Sequence, residues 1–296
     1  MKNTIFRGAG VALVTPMNAD YSINYNKFAE LIEMQIAGKT DALVIAGTTG
    51  EASTLSDDEH VEIIRFAVEQ TKGRVPIIAG TGSNDTAYAV ELTKAAKRAG
   101  ADATLQVTPY YNKTSQRGLV AHFETIANEG GLPVILYNVP SRTGVNIGLE
   151  AYKALAKHPL IVAAKEASGN ISAVADLALA CGDDLDIYSG NDDQILPILA
   201  LGGSGVISVL SNVLPYETHE MCRSYFDGNA KRSTELQMQY LPLVHALFSD
   251  VNPVPVKEAM NLMGLEVGPC RLPLYPMEDK TREALRVELA KCGLVK

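Results

Sequence analysis

Long apolar runs are missing from this chain. ALVIAG stops at a Gly-Thr turn and IVAA stops at Lys165, whereas a membrane span needs roughly 18–20 apolar residues. The first ten residues, MKNTIFRGAG, lack the apolar core of a signal peptide. Cysteine is scarce: Cys181, Cys222, Cys270 and Cys292 stand far apart with no CxxC spacing. That argues against a disulfide framework and against a zinc site. The five histidines show no HxH or HExxH spacing, so no metal is expected. Positive charge is also short, with 26 Lys and Arg against 34 Asp and Glu and no basic run. A net charge of −8 repels a phosphodiester backbone, so nucleic acid is not an expected partner. What is present is apolar bulk, 47% of 296 residues. That is too much for a disordered chain and enough for two ordinary domains or one large α/β barrel with an appendage. A cytoplasmic, globular protein without a membrane partner is expected.

Eight short Val/Ile/Leu-rich runs punctuate the sequence: GVALVT from Gly10, DALVIAG from Asp41, VPIIAGT from Val75, ATLQVTP from Ala103, PVILYNV from Pro133, IVAAKEA from Ile161, LDIYSGN from Leu185 and GVISVLS from Gly205. Nearly continuous apolar character suits strands buried on both faces. The stretches between them have helical spacing. In YNKFAELIEMQIAGK, Phe28, Leu31, Ile32, Gln35 and Ile36 form one stripe, with Glu30, Glu33 and Lys39 off it. Ser22/Asn24, Ser56 to Glu59, and Asn84-Asp85 stand where helix N-caps belong. Strand starts recur about every 30 residues, closing to about 20 near the end, which is the length of a βα unit. The expectation is an α/β fold, a (β/α)8 TIM barrel over residues 1–225, with a C-terminal helical appendage over 226–296. An open doubly wound sheet stays possible on strand count alone, although no GxGxxG follows the first strand.

In such a barrel the chemistry lies at the C-terminal ends of the strands. After strand 2, Gly47-Thr48-Thr49-Gly50-Glu51 is either a turn whose N–H groups converge on an anion or an ordinary capped turn. After strand 4, the paired Tyr110 and Tyr111 in a polar loop read, on their own, as packing surface. Strand 5 ends in Tyr137, placed to line the lumen. Arg142 follows in a Pro/Gly-bounded loop, either holding a carboxylate or standing as a solvated charge. Strand 6 is the informative one, because Lys165 falls inside the apolar run. An ammonium in a barrel lumen must find a partner or surrender its proton to desolvation. The alternatives are snorkelling to solvent or pairing with Glu166. A neutral amine there can attack a ketone to form a Schiff base, with the Tyr137 phenol on the adjacent strand shuttling protons.

GTTGE, TPYYNK, YNVPSRTG and VAAKEASGN, followed by SGNDD and GVISV in the same order, resemble the dihydrodipicolinate synthase family from Gly8 to about Leu274. The resemblance implies a condensation of pyruvate with L-aspartate-4-semialdehyde on a (β/α)8 barrel, the entry to the diaminopimelate route to lysine. It implies that Lys165 forms the imine and that Tyr137 is the general acid/base. On the same resemblance, Thr48 would relay protons to Tyr111, contributed by a neighbouring subunit. Thr49 and the turn amides would hold the pyruvate carboxylate, Arg142 would bind the carboxylate of the aldehyde, and Gly190 and Ile207 would line the pocket. It further implies a homotetramer built as a dimer of tight dimers, and no metal or organic cofactor.

Two features refine the comparison. Related pyruvate lyases, such as N-acetylneuraminate lyase or 2-keto-3-deoxy acid aldolases, share the lysine and tyrosine. They generally lack an arginine at Arg142 and usually carry Ser at the place of Thr48. The positions matching the family's lysine effector cleft are Ala52, Ser53, Asp57, His60, Asn84, Tyr88 and Tyr110. Sensitive members usually have an acid at the place of Tyr88 and a histidine at that of Asp57, so weak or absent lysine inhibition is expected. A catalytically silent barrel would lack the nucleophile or the acid, yet Lys165, Tyr137, Thr48 and Tyr111 are all present.

Overall fold

The computed structural model describes residues 3–296, and in it eight parallel strands close on themselves. They are β1 Gly8–Ala12, β2 Ala42–Ile45, β3 Ile77–Gly80, β4 Ala103–Val107, β5 Val134–Asn138, β6 Ile161–Glu166, β7 Asp186–Ser189 and β8 Gly205–Ser208. Each pairs with the next, and β8 returns to β1 with Gly8 opposite Gly205 and Val11 opposite Ser208. The open doubly wound sheet is thereby excluded. All eight apolar runs became strands, but β1 begins two residues before the run that marked it. Its first residues are Gly-Ala-Gly, with no β-branched side chain to signal a strand. Gly8 sits at φ +135°, and a Cβ there would lie 2.0 Å from the Asp41 carboxylate.

The helices follow the strands as the spacing predicts. They are α1 Tyr25–Ala37, α2 Asp57–Thr71, α3 Thr86–Ala99, α4 Gln116–Gly130, the single turn α5 Pro140–Thr143, α6 Leu149–Leu155, α7 Ile171–Cys181, α8 Ile195–Ala200 and α9 Pro215–Phe226. Asn24 caps α1 by accepting from the Lys27 N–H, Asp85 caps α3 through Ala87 N–H, and Ser56 with Glu59 forms a reciprocal capping box on α2. On α1, Phe28, Leu31, Ile32 and Gln35 are buried. The Gln35 amide is satisfied there, donating to Ser211 O and accepting from the Thr40 hydroxyl.

Strand alternation divides the core in two. Ile78, Ile135, Tyr137, Ala163, Tyr188 and Ile207 belong to the cluster that fills the lumen, while Val134, Leu136, Ile161 and Ala164 pack outward with residues of α4, α6 and α7. The three expected C-terminal helices are α10 Ala230–Leu247, α11 Val254–Leu262 and α12 Asp279–Lys291. Leu236, Leu243, Val256, Met260, Leu285 and Leu289 share one continuous apolar cluster with Val11, Leu31 and Ile45 of the barrel. That shared core fixes the segment between α10 and α11 against the barrel.

Candidate active site

Lys165 on β6 and Tyr137 on β5 are direct register partners. In parallel neighbours, paired positions send their side chains to the same side, here the lumen. Lys165 is 6% exposed, and its Nζ lies 4.3 Å from the centroid of the Tyr137 ring. The same alternation carries Glu166 outward. Its carboxylate accepts from Asn138 Nδ2 at 3.1 Å, the Tyr152 hydroxyl at 3.0 Å and Ser168 N–H at 2.9 Å. Burial, then the Glu166 charge, pushes the Tyr152 phenol well above its ordinary value, keeping it a donor. Pairing of Lys165 with Glu166 is thus removed. Among the described residues no carboxylate lies within ion-pairing distance of Nζ. Gly190 clears the space beside this amine: a Cβ there would meet Lys165 Cε at 3.2 Å and Ala167 Cβ at 2.6 Å. Ile207 is fully buried in the lumen cluster that also holds Tyr137.

One charged neighbour escaped the sequence reading. Asp192 is enclosed at the ends of β7 and β8, where Oδ2 accepts from Val209 N–H at 3.0 Å and Leu210 N–H at 2.9 Å. Burial pushes its carboxyl up against those hydrogen bonds and against the pull of the Lys165 charge. In the sequence it is one of two successive aspartates, with nothing to say which is enclosed.

The turn after β2 is braced from behind. Glu51 adopts φ +58°, and its buried carboxylate takes the Lys257 ammonium at 2.8 Å and Arg271 N–H at 2.8 Å. Lys257 also donates to Thr15 O and Pro269 O. Glu51 N–H and Ala52 N–H are spent on Thr48 O and Gly47 O. Among the described residues, the N–H groups of Thr48, Thr49 and Gly50 have no partner in the chain. Successive main-chain donors left free in this way are what an anion site draws on. Thr49 is enclosed, its hydroxyl oxygen accepting from Asn252 Nδ2 at 2.9 Å. Arg142 stands exposed on the turn α5, with Nη2 donating to Asn252 O at 3.2 Å. Thr143 steadies that turn, accepting from the Thr108 hydroxyl at 2.9 Å and donating to Val145 O at 3.0 Å. Asn252 was passed over in the sequence because an Asn-Pro step between helices reads as a break; only its contacts mark it.

A cavity of about 540 Å³ has Thr48, Tyr137 and Arg142 on its wall together with Ala52, Ser53, His60, Tyr88 and Tyr110. Lys165, Thr49, Gly190 and Ile207 are not on that wall; Lys165 meets it through the ring of Tyr137. Asp57 and Asn84 are not on that wall: Asp57 is tied to it by the Tyr88 hydroxyl, which donates to its carboxylate at 2.6 Å, and Asn84 follows Ser83 of the wall in sequence. Burial, then the hydrogen bond to Asp57, raise the Tyr88 phenol to about 12. His60 bonds Gly80 O at 2.7 Å, and burial holds its imidazole below the ordinary value. Tyr111 is apart from all of these. It sits at φ +67° and is 91% exposed, outside its own chain's cavity. A larger cavity of about 890 Å³, with Met17, Tyr21, Lys257 and Tyr275 in its wall, contains none of the expected site residues. Among the described residues no cluster of His, Cys, Asp and Glu could hold a metal, and no helix is long and apolar enough to cross a membrane.

Residues 5–292 match the model of the dihydrodipicolinate synthetase family. The chain belongs to that family. A relative from Lachnoclostridium phytofermentans named 4-hydroxy-tetrahydrodipicolinate synthase is 56% identical over 293 residues, 98% of this chain and 99% of its own. Among solved structures of the dihydrodipicolinate synthase type, the chloride-inhibited enzyme from Acinetobacter baumannii complexed with pyruvate superposes with a TM-score of 0.96 at 42% identity, covering 99% of this chain and 100% of its own. A monomeric dihydrodipicolinate synthase variant superposes with a TM-score of 0.96 at 40% identity, covering 98% of each. Family membership agrees with the motifs that carried the resemblance and with the closed barrel that holds them.

Proposed function

We propose that this chain is a 4-hydroxy-tetrahydrodipicolinate synthase, a Schiff-base lyase that condenses pyruvate with L-aspartate-4-semialdehyde. The observation that carries the reading is the pairing of Lys165 with Tyr137, an amine without a carboxylate partner held against a phenol in an apolar lumen. Lys165, unprotonated, attacks the ketone carbon of pyruvate, and loss of water leaves an iminium. Tyr137 takes up and returns the protons of these steps, through the Thr48 hydroxyl to Tyr111. Loss of a methyl proton gives the enamine, whose carbon attacks the aldehyde. The amino group of the second substrate then adds to the iminium carbon and expels Lys165. Thr49 and the free amides of its turn hold the pyruvate carboxylate. Arg142 holds the carboxylate of the aldehyde, a local cation that a chain of net charge −8 needs for anionic substrates. Gly190 leaves room for the amine, and Ile207 lines the lumen.

The exposure of Tyr111 supports a site completed by a second copy of the chain, hence a tight dimer and, as a pair of these, a homotetramer. The reading also includes a cytoplasmic location and the two-part division at residues 225/226. Steady-state assays with matched substrates test the activity. Turnover should require both pyruvate and L-aspartate-4-semialdehyde, and Arg142→Ala should raise the KM of the aldehyde roughly 10-fold or more. Efficient cleavage of sialic acid or a 2-keto-3-deoxy acid, indifferent to Arg142→Ala, would favour the sibling lyases instead.

A further inference from the structure

The segment that joins α10 to α11 meets the expected site residues through Asn252. Its side-chain Nδ2 donates to Thr49 Oγ1 at 2.9 Å, across 203 positions of sequence. Its main-chain oxygen accepts from Arg142 Nη2 at 3.2 Å, across 110 positions. The two contacted residues are those read as ligands for the two substrate carboxylates. Asn252 is 6% exposed, and among the described residues its buried Oδ1 finds no partner. An orphaned buried acceptor is costly and calls for an explanation. Of the two ends of this amide, the one put to use is the N–H.

The polarity of that bond supplies the explanation. Thr49 can donate one hydrogen and accept at its oxygen. With an amide N–H filling the oxygen, the hydroxyl proton is left to point elsewhere. A threonine oriented in this way is a donor, which is what a carboxylate requires. We infer that Asn252 is a positioning residue: it sets Thr49 as a hydrogen-bond donor toward the pyruvate carboxylate and, through its carbonyl, fixes Arg142 at a set distance from that point. The C-terminal helical region thereby takes part in substrate recognition. The inference rests on the reading of Thr49 as a carboxylate ligand.

The side-chain and main-chain contacts can be separated, because substitution removes the amide and keeps the carbonyl. Asn252→Ala should raise the KM of pyruvate roughly 5- to 10-fold while the KM of the aldehyde changes less than about twofold. Asn252→Asp should raise the KM of pyruvate further, because a carboxylate accepts from Thr49, turns the hydroxyl away and repels the keto acid. In the double variant, Asn252→Ala on Thr49→Val should add nothing to the effect of Thr49→Val alone. If Asn252→Ala does not fold, Asn252→Ser carries the same measurements. An equal rise in both KM values, or a full additive effect on Thr49→Val, overturns the inference. So does a pyruvate KM that rises in Thr49→Val but not in the Asn252 variants. A pyruvate KM unmoved by Thr49→Val overturns the reading of Thr49 itself.

Discussion

The Glu51 carboxylate and the Lys257 ammonium meet at 2.8 Å with both side chains almost wholly enclosed, across 206 positions of sequence. This buried pair ties the left-handed residue of the β2 turn to α11. Its desolvation is offset by Arg271 N–H on the carboxylate and by two carbonyls on the ammonium. Removing one partner strands the other charge. Lys257→Met should therefore cost about 3–5 kcal/mol in equilibrium urea unfolding. A loss below about 1 kcal/mol would show that the pair is solvated.

Tyr111 should act across a subunit boundary. Tyr111→Phe and Lys165→Ala should each be nearly inactive alone. Co-expressed, they should regain activity approaching about a quarter of wild type, because a mixed dimer has one site with neither defect. Failure to regain activity in a purified mixed dimer would place Tyr111 in its own chain's site, and full activity of Tyr111→Phe alone would place it outside the reaction.

Acid stability should carry the mark of His122. Burial lowers its imidazole from 6.5 to about 4, with Nδ1 bonded to the Thr86 hydroxyl and Nε2 unpartnered. The unfolded chain binds a proton near 6.5 that the folded chain refuses until about 4. The contribution is thus intact above 6.5 and is lost as the pH falls toward 4, at no more than about 1.4 kcal/mol per pH unit. In thermal unfolding from pH 7 to 4, His122→Gln should show a shallower fall in Tm than the wild type. Parallel curves would refute the assignment.

Inhibition by lysine should be weak or absent. An ammonium effector needs an unshared carboxylate, and here Asp57 already accepts from Tyr88 while Tyr88 itself brings no charge. Tyr88→Glu should increase sensitivity, read as a lower half-inhibitory lysine concentration. Strong inhibition of the wild type at sub-millimolar lysine would contradict this account.

Much of this architecture could be read from the chain because its signals are local. Fully buried parallel strands leave continuous apolar runs, capping residues sit beside the helices they start, and Lys165 stands out as a charge inside such a run. The depth match of Lys165 with Tyr137 followed from counting along neighbouring strands, and the register bears it out. The contacts that were not legible join distant parts of the chain. Asn252 reaches Thr49, Lys257 reaches Glu51, and Asp192 turns toward Val209 and Leu210; in each case tertiary packing chose one polar residue among several similar ones. The start of β1 was missed for another reason: its glycines fit a crowded closure of the barrel and carry no strand propensity.

Trapping of the covalent intermediate tests the central claim most directly. Incubation with pyruvate and sodium borohydride, followed by peptide mass mapping, should place a single reduced adduct on the peptide that contains Lys165. The adduct should vanish in Lys165→Met along with turnover. An adduct on another lysine, or a Lys165→Met enzyme that still condenses its substrates, would contradict the account.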